Sequence, residues 1–173
     1  AAVWSLAGRS GRARNYAGRI HAVQVLGDGG AAAPIEVICA MPARWPSHRA
    51  GQFAFVRFDA SEGAHPFTIA SAPGSLGRSD AGEPLLRLVI KPLGDYTRTL
   101  GQRLQAGQRV DIEGPYGRFD GRGRRQRQQV WVAGGVGITP FLALLEARQP
   151  GAAPATATLQ PVHMHYCTRD AAT

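Results

Sequence analysis

The sequence predicts a mainly β protein: a small antiparallel barrel with one short helix, followed by a single β-α-β unit. Three features carry this expectation. Six short segments rich in β-branched or aromatic residues lie between Ile20 and Glu113, with turn residues between them all, and strands at that spacing build small barrels. One interruption, Asp95 to Leu104, has helical spacing. Beyond it come an apolar strand, a glycine-rich turn, an apolar helix and a second apolar strand, which together make one β-α-β unit.

Along the chain, residues 8–19 hold Arg9, Arg12, Arg14 and Arg19 with little apolar content. They read as a basic linker, placed at 1–17, that enters the first domain. If membrane spans preceded it, these arginines would hold it at the cytoplasmic face. The expected strands are Ile20–Leu26, Ile35–Ala40, Phe53–Phe58, Phe67–Ala70, Leu85–Lys91 and Val110–Glu113, punctuated by Gly27-Asp28-Gly29-Gly30, Ala72-Pro73-Gly74 and Glu113-Gly114-Pro115. In the helix, Asp95 can cap the first turn, and Tyr96, Thr99 and Leu100 recur at helical spacing before Gly101 and Gly107 break the pattern. Residues 121–129 contain no apolar side chain. Such a segment cannot pack a core, so it is expected to be a hinge between a barrel domain at 18–120 and a second domain at 130–173. That second domain holds strand Val130–Ala133, turn Gly134–Gly137, helix Thr139–Arg148 and strand Val162–Cys167. A parallel sheet needs several such units with both faces covered, so the second domain is expected to be truncated and the chain a piece of a longer protein.

Composition narrows the function classes. The formal charge is +8, from 20 Lys+Arg against 12 Asp+Glu, and Lys91 is the only lysine. Guanidinium forks suit bidentate contact with phosphates, although arginines also occupy ordinary solvated positions. Cys39 and Cys167 lie far apart and in no C-x-x-C pair, which gives neither a zinc pattern nor a disulfide framework. No metal site is expected, and a reducing, cytoplasmic compartment is. No apolar run approaches the roughly 18 residues that cross a bilayer.

Two segments carry candidate chemistry. Gly134-Gly135-Val136-Gly137 follows a strand and precedes a helix, where glycines let backbone approach a pyrophosphate and the helix offers unpaired N–H groups. Pro140 stands where a G-x-G-x-x-G pattern has its third glycine, and a plain strand-to-helix turn would read the same way. The other segment is His65-Pro66-Phe67-Thr68. Pro66 biases His65 toward an extended conformation and places Phe67 and Thr68 at a strand start or sheet edge. An aromatic face beside a hydroxyl suits a flavin ring; read alone, Phe67 is more often a core residue than a platform and Thr68 is a common strand residue.

Residues 65–68, then Ser71-Ala72-Pro73, Gly94-Asp95-Tyr96-Thr97, Gly114-Pro115-Tyr116-Gly117 and Gly134 to Pro140 resemble, in that order, the motifs of the ferredoxin–NADP reductase superfamily. The His-Pro-Phe-Thr form is similar to the branch that contains ferric reductases and NADPH oxidases, and the resemblance covers roughly residues 18–167. It implies a six-stranded antiparallel Greek-key barrel that holds FAD, then an α/β domain that brings NAD(P)H to the flavin. It further implies that Phe67 packs on the isoalloxazine and that Thr68, the candidate catalytic residue, hydrogen-bonds near the reactive N5 edge. His65 stands where many relatives have a phosphate-binding arginine, next to Pro66. Ile90, Lys91 and Pro92 would border the FAD, and Gly94 and Thr97 would offer donors to its phosphates. Gly135, Gly137 and Thr139 would lie beside the nicotinamide nucleotide, with Thr139 and Pro140 facing the flavin.

The activity implied is hydride transfer from the nicotinamide to FAD, then one-electron steps to ferric iron, haem or oxygen. The acceptor could be a haem-containing membrane domain of the same polypeptide, which would put the chain at the inner face of a membrane. Alternatives are a soluble flavin reductase feeding an iron–sulfur or haem partner, and a non-catalytic FAD-binding or regulatory domain. The later cysteine-glycine motif, the C-terminal aromatic and the residues that choose NADPH over NADH in that family would fall beyond Thr173. A nucleic-acid-binding barrel would also be basic and aromatic. Its arginines would interleave with Phe53, Phe55 and Phe58, whereas here they cluster in the expected linkers, so no nucleic-acid partner is expected.

Overall fold

A computed structural model describes residues 14–30, 33–119, 128–149 and 161–168. Six strands form one antiparallel sheet: β1 (Asn15–Val25), β2 (Ile35–Ala40), β3 (Phe53–Arg57), β4 (His65–Thr68), β5 (Leu85–Ile90) and β6 (Arg109–Tyr116). Their order across the sheet is β4-β3-β6-β1-β2-β5. Ile69, just past β4, bridges Leu88 of β5, so the sheet closes into the expected Greek-key barrel. The period of two along each strand builds the interior. β2 turns Val37 and Cys39 inward, β5 turns Leu86, Leu88 and Ile90, β3 turns Ala54 and Val56, and β6 turns Val110 and Ile112. Helix α1 (Asp95–Arg103), between β5 and β6, adds Leu100 to the same core.

Several boundaries differ from expectation, for physical reasons. β1 begins at Asn15 instead of Ile20, inside the expected linker, because Asn15 to Arg19 pair with Glu113 to Arg109 of β6. A backbone ladder forms whatever the side-chain polarity, which is why β6 also runs on to Tyr116. β4 occupies His65–Thr68 rather than Phe67–Ala70. Its proline is tolerated because this stretch pairs with β3 alone, and proline is confined to such edges. Phe53 and Phe55 lie half-buried on the outer face, their rings 5.7 Å apart, while Phe58 joins the core. The expected linker at 1–17 and hinge at 121–129 fall outside the described residues except for 14–17 and 128–129.

In the second unit, β7 (Gln129–Gly134) and β8 (Val162–Cys167) pair in parallel. A 3₁₀ turn at Gly135–Ile138 leads into α2 (Thr139–Glu146), which ends before the expected Arg148. Trp131, Ala133 and Phe141 form a small core of their own. Val130 and Val132, on the other face of β7, are 64% and 66% exposed. Among the described residues, no helix is long and apolar enough to cross a membrane.

One glycine ties the barrel rim to the segment after β6. Gly51 has φ +89, and a Cβ there would stand 1.8 Å from the Phe119 carbonyl oxygen, so any side chain would force the two segments apart.

The barrel seam is the place where a core deletion should be felt. Leu88 is fully buried, and Leu88→Ala is expected to lower the free energy of unfolding in urea by about 2–5 kcal/mol. Val130→Ala, on an exposed face, should stay within about 0.5 kcal/mol of the parent.

Candidate functional site

β4 is paired on one side only. Its residues His65 to Thr68 meet Val56 to Phe53 of β3, and β5 is reached only at the Ile69–Leu88 bridge and at the Ala70 N–H, which donates to the Arg87 carbonyl at 2.7 Å. The two strands part ahead of that point and leave one backbone edge of β4 open among the described residues. Register decides which side chains meet there. His65 and Phe67 stand opposite Val56 and Ala54 and so face the barrel interior, whereas Pro66 and Thr68 stand opposite Phe55 and Phe53 on the outer face. The Phe67 ring packs 6.2 Å from that of Phe58. The His65 imidazole stacks on Tyr96 of α1 at 4.1 Å and 18°, which joins the strand to the first turn of the helix. Thr68 has no hydrogen bond to its hydroxyl among the described residues.

Beside the open edge of β4 lie the end of β5 and the start of α1. Ile90, expected to border a cofactor, is 1% exposed. It follows the inward alternation of Leu86 and Leu88, so only its backbone is available to a ligand. Lys91 and Pro92 are half-buried, and Gly94 is exposed with open space where a Cβ would stand. The Thr97 hydroxyl, expected to meet a phosphate, instead accepts the Leu93 and Gly94 N–H groups at 2.9 and 3.1 Å, which is the reciprocal half of a capping box. The N–H groups of Asp95, Tyr96 and Thr97 are the first-turn donors that a helix leaves to outside partners. The Tyr96 hydroxyl is buried, without a hydrogen-bond partner among the described residues. Burial pushes this phenol's pKa up.

In the glycine turn, Gly135 has φ +50, and both it and Gly137 have open space where a Cβ would stand. Thr139 departs from expectation. It is 4% exposed, and its hydroxyl donates to the Val136 carbonyl at 3.0 Å, closing the turn rather than facing outward. Pro140 sits in the first turn of α2, where its missing N–H leaves nothing unsatisfied.

Sequence reasoning missed the residues that join the two units. Glu146 of α2 accepts from the Ala72 N–H at 3.0 Å and from Ser75 Oγ at 2.8 Å, and pairs with Arg87. Arg87 also donates to the Ala70 carbonyl, at 2.8 Å from Nη2. Phe119 and Phe141 add an edge-to-face contact at 5.3 Å. The one available signal was a carboxylate in the last turn of a helix, where the macrodipole disfavours it. Burial alone would raise the Glu146 pKa, but the Ala72 N–H, Ser75 and Arg87 together hold it below the ordinary range. His48 is buried and donates through Nε2 to the Ser71 carbonyl at 2.8 Å; burial pulls its pKa down against that hydrogen bond.

Residues 17–120 match the FAD-binding domain family along more than half of the chain. The chain belongs to that family. This FAD-binding domain is 31% identical over 106 residues to the phenol hydroxylase P5 protein of Acinetobacter pittii, covering 60% of the chain and 28% of the relative. It is 37% identical over 86 residues to ferric reduction oxidase 2 of Arabidopsis thaliana, covering 47% and 11%. With NADPH oxidase 1 of Mus musculus it shares 30% over 107 residues, covering 58% and 17%. The chain thus spans less than a third of the length of each of these relatives. Its fold is similar to that of phthalate dioxygenase reductase, with a TM-score of 0.64 and 19% identity over 90% of the chain and 44% of that structure. The expected membership of the ferredoxin–NADP reductase superfamily, in its ferric reductase and NADPH oxidase branch, holds. The residues present fit the flavin that the family name implies: an unpaired strand edge, an uncommitted Thr68 hydroxyl, and open space over Gly94.

Glu146 sets a pH dependence for the contact between the units. Its folded pKa lies below the ordinary 4.5, so its contribution is complete above that value and is lost as pH falls through the folded pKa. The urea midpoint of the parent should exceed that of Glu146→Gln by a constant amount near neutral pH, and the gap should close on acidification below about pH 4.

Proposed function

We infer that this chain is the flavin-holding module of an NAD(P)H-dependent oxidoreductase, with the barrel over 18–120 and the start of a dinucleotide domain over 130–173. The observation that carries the reading is the open edge of β4, which runs from His65 to Thr68 and is bordered by the first turn of α1. When bound, FAD supplies the redox chemistry: it accepts a hydride, with both electrons of the C–H bond, from a dihydronicotinamide, which leaves oxidised, and gives the electrons up singly.

The protein's part in this is binding and orientation. Phe67 offers an apolar wall to the ring, and Thr68, on the other face of the strand, offers a hydroxyl near N5. His65, held flat by Tyr96, and the free N–H groups of the first helical turn border the phosphates, with Lys91 supplying positive charge. Gly135 and Gly137 leave the backbone open to the dinucleotide's pyrophosphate. Stacking two rings within reach makes the transfer effectively unimolecular, so no general acid or base is required.

The acceptor belongs to this proposal too. Ferric iron, haem or oxygen as acceptor and a cytoplasmic place at the inner face of a membrane are part of it, and likeness to ferric reduction oxidase 2 and NADPH oxidase 1 supports a ferric reductase or oxidase activity. Likeness to the reductase component of propane 2-monooxygenase of Mycolicibacterium goodii and to the phenol 2-monooxygenase reductase component of a Pseudomonas species supports a second reading, a flavin reductase that feeds an iron–sulfur or haem partner of an oxygenase.

Titration of FAD into the purified protein, followed by flavin fluorescence, tests the reading. Saturable quenching is expected, and a Phe67→Ala, Thr68→Ala double variant should bind at least about tenfold more weakly, given what a lost stacking contact and hydrogen bond are worth. Absence of binding by the parent, with its fold verified by circular dichroism, would sink the proposal.

A further inference from the structure

Beside the Phe119–Phe141 ring contact, the polar contact between the two units among the described residues centres on one carboxylate. Glu146 stands in the last turn of α2, where the negative end of the helix dipole opposes it, so helix stability does not account for its presence. Its partners are on the barrel: the Ala72 N–H, Ser75 Oγ and the Arg87 guanidinium. Three donors converge on its two oxygens, and the hydrogen-bonded side chains are mostly withdrawn from water, at 18% and 25% exposure for Arg87 and Glu146. Charge-assisted hydrogen bonds in such surroundings are the strong ones.

What the carboxylate connects gives it a role. Ala72 follows Thr68 closely on one continuous segment, and that segment is fixed to the barrel by the Ile69–Leu88 bridge and by Arg87 on the Ala70 carbonyl. Glu146 ends the helix whose first residue is Thr139, directly after the Gly135–Ile138 turn. One end of α2 therefore presents the glycine turn, and the other is pinned to the segment that carries Phe67 and Thr68. An eight-residue helix is a rigid spacer of about 12 Å.

We propose that Glu146 is a positioning residue: by docking the C-terminal end of α2 on Ala72, Ser75 and Arg87, it sets the distance and angle at which the dinucleotide held by the glycine turn meets the flavin held by β4. The roles given to the turn and the strand rest on the function proposed above; the docking contact itself does not. Breaking the dock leaves both binding surfaces intact and lets one move relative to the other.

The test compares the parent with Glu146→Ala and Glu146→Gln, loaded with FAD, by three readouts. Hydrogen exchange at the Ala72 amide reads the dock, fluorescence titration reads FAD affinity, and stopped-flow flavin bleaching under excess NADH or NADPH reads hydride transfer. Glu146→Ala should speed Ala72 exchange about tenfold, leave FAD affinity within about twofold, and slow the limiting rate of flavin reduction by about tenfold or more, as expected for loss of reacting geometry. Glu146→Gln keeps an acceptor for Ala72 and Ser75 but not the charge, so it should fall between the two, which a general loss of folding would not produce. Unchanged Ala72 exchange in both variants overturns the docking contact. Faster exchange with an unchanged reduction rate overturns the positioning role. A parent that binds no FAD removes the function proposed above and the positioning role with it, while the exchange measurement still reports whether Glu146 holds Ala72.

Discussion

The structure depends on how little of the barrel seam is paired. Ile69 meets Leu88, the neighbouring Ala70 N–H reaches the Arg87 carbonyl, and ahead of this point β4 and β5 separate. A seam laddered along its whole length would pair the edge of β4, while an unclosed seam would expose Ile69 and Leu88, both fully buried here. Short closure satisfies both demands. It keeps the apolar interior sealed and leaves the His-Pro-Phe-Thr strand with a free edge, and a proline can sit in that strand because no second neighbour requires its N–H.

The segment just past the bridge shows how the backbone manages without a ladder. Buried N–H and C=O groups need partners, and the Gln52 backbone and three side chains supply them here. Ile69 N–H donates to the Gln52 carbonyl, the Ala70 carbonyl takes the Arg87 guanidinium, the Ser71 carbonyl takes His48 Nε2, and the Ala72 N–H takes Glu146. The Ser71 hydroxyl in turn accepts the Arg87 N–H at 3.1 Å. Arg87 thus belongs to the seam and to the contact with the second unit. Removing it would leave the Ala70 carbonyl and the Glu146 carboxylate short of a partner together, and a buried charge without its partner is among the more damaging losses a fold can suffer.

The glycine turn and the start of α1 use two solutions to one problem, the presentation of unpaired backbone donors. At Gly94 the helix begins with no side chain in the way, and Thr97 turns its hydroxyl back to hold the cap. At Gly135 a positive φ sharpens the exit from β7, and Thr139 closes the turn from beneath through the Val136 carbonyl. In both, the threonine that the family resemblance places toward a ligand spends its hydroxyl on backbone geometry.

Much of this was legible in the sequence. Apolar, β-branched runs between turn residues marked β2 and β5, helical spacing marked Asp95 to Leu104, where the helix runs Asp95–Arg103, and glycine between apolar runs marked the β7-to-α2 turn, because each signal is local and reports a residue's own backbone preference or burial. The ordered motifs also identified the family, since they concern short contiguous stretches. What the sequence left open were properties of pairs far apart in the chain. The polar start of β1 is a strand only because β6 lies beside it, Phe67 and Thr68 fall on opposite faces only through their register with β3, and Ile90 is withdrawn into the interior it shares with Leu86 and Leu88. The approach of Glu146 to Ala72 and Arg87 joins residues more than fifty positions apart; no local preference encodes such a meeting, and only the packing of α2 against the barrel decides it.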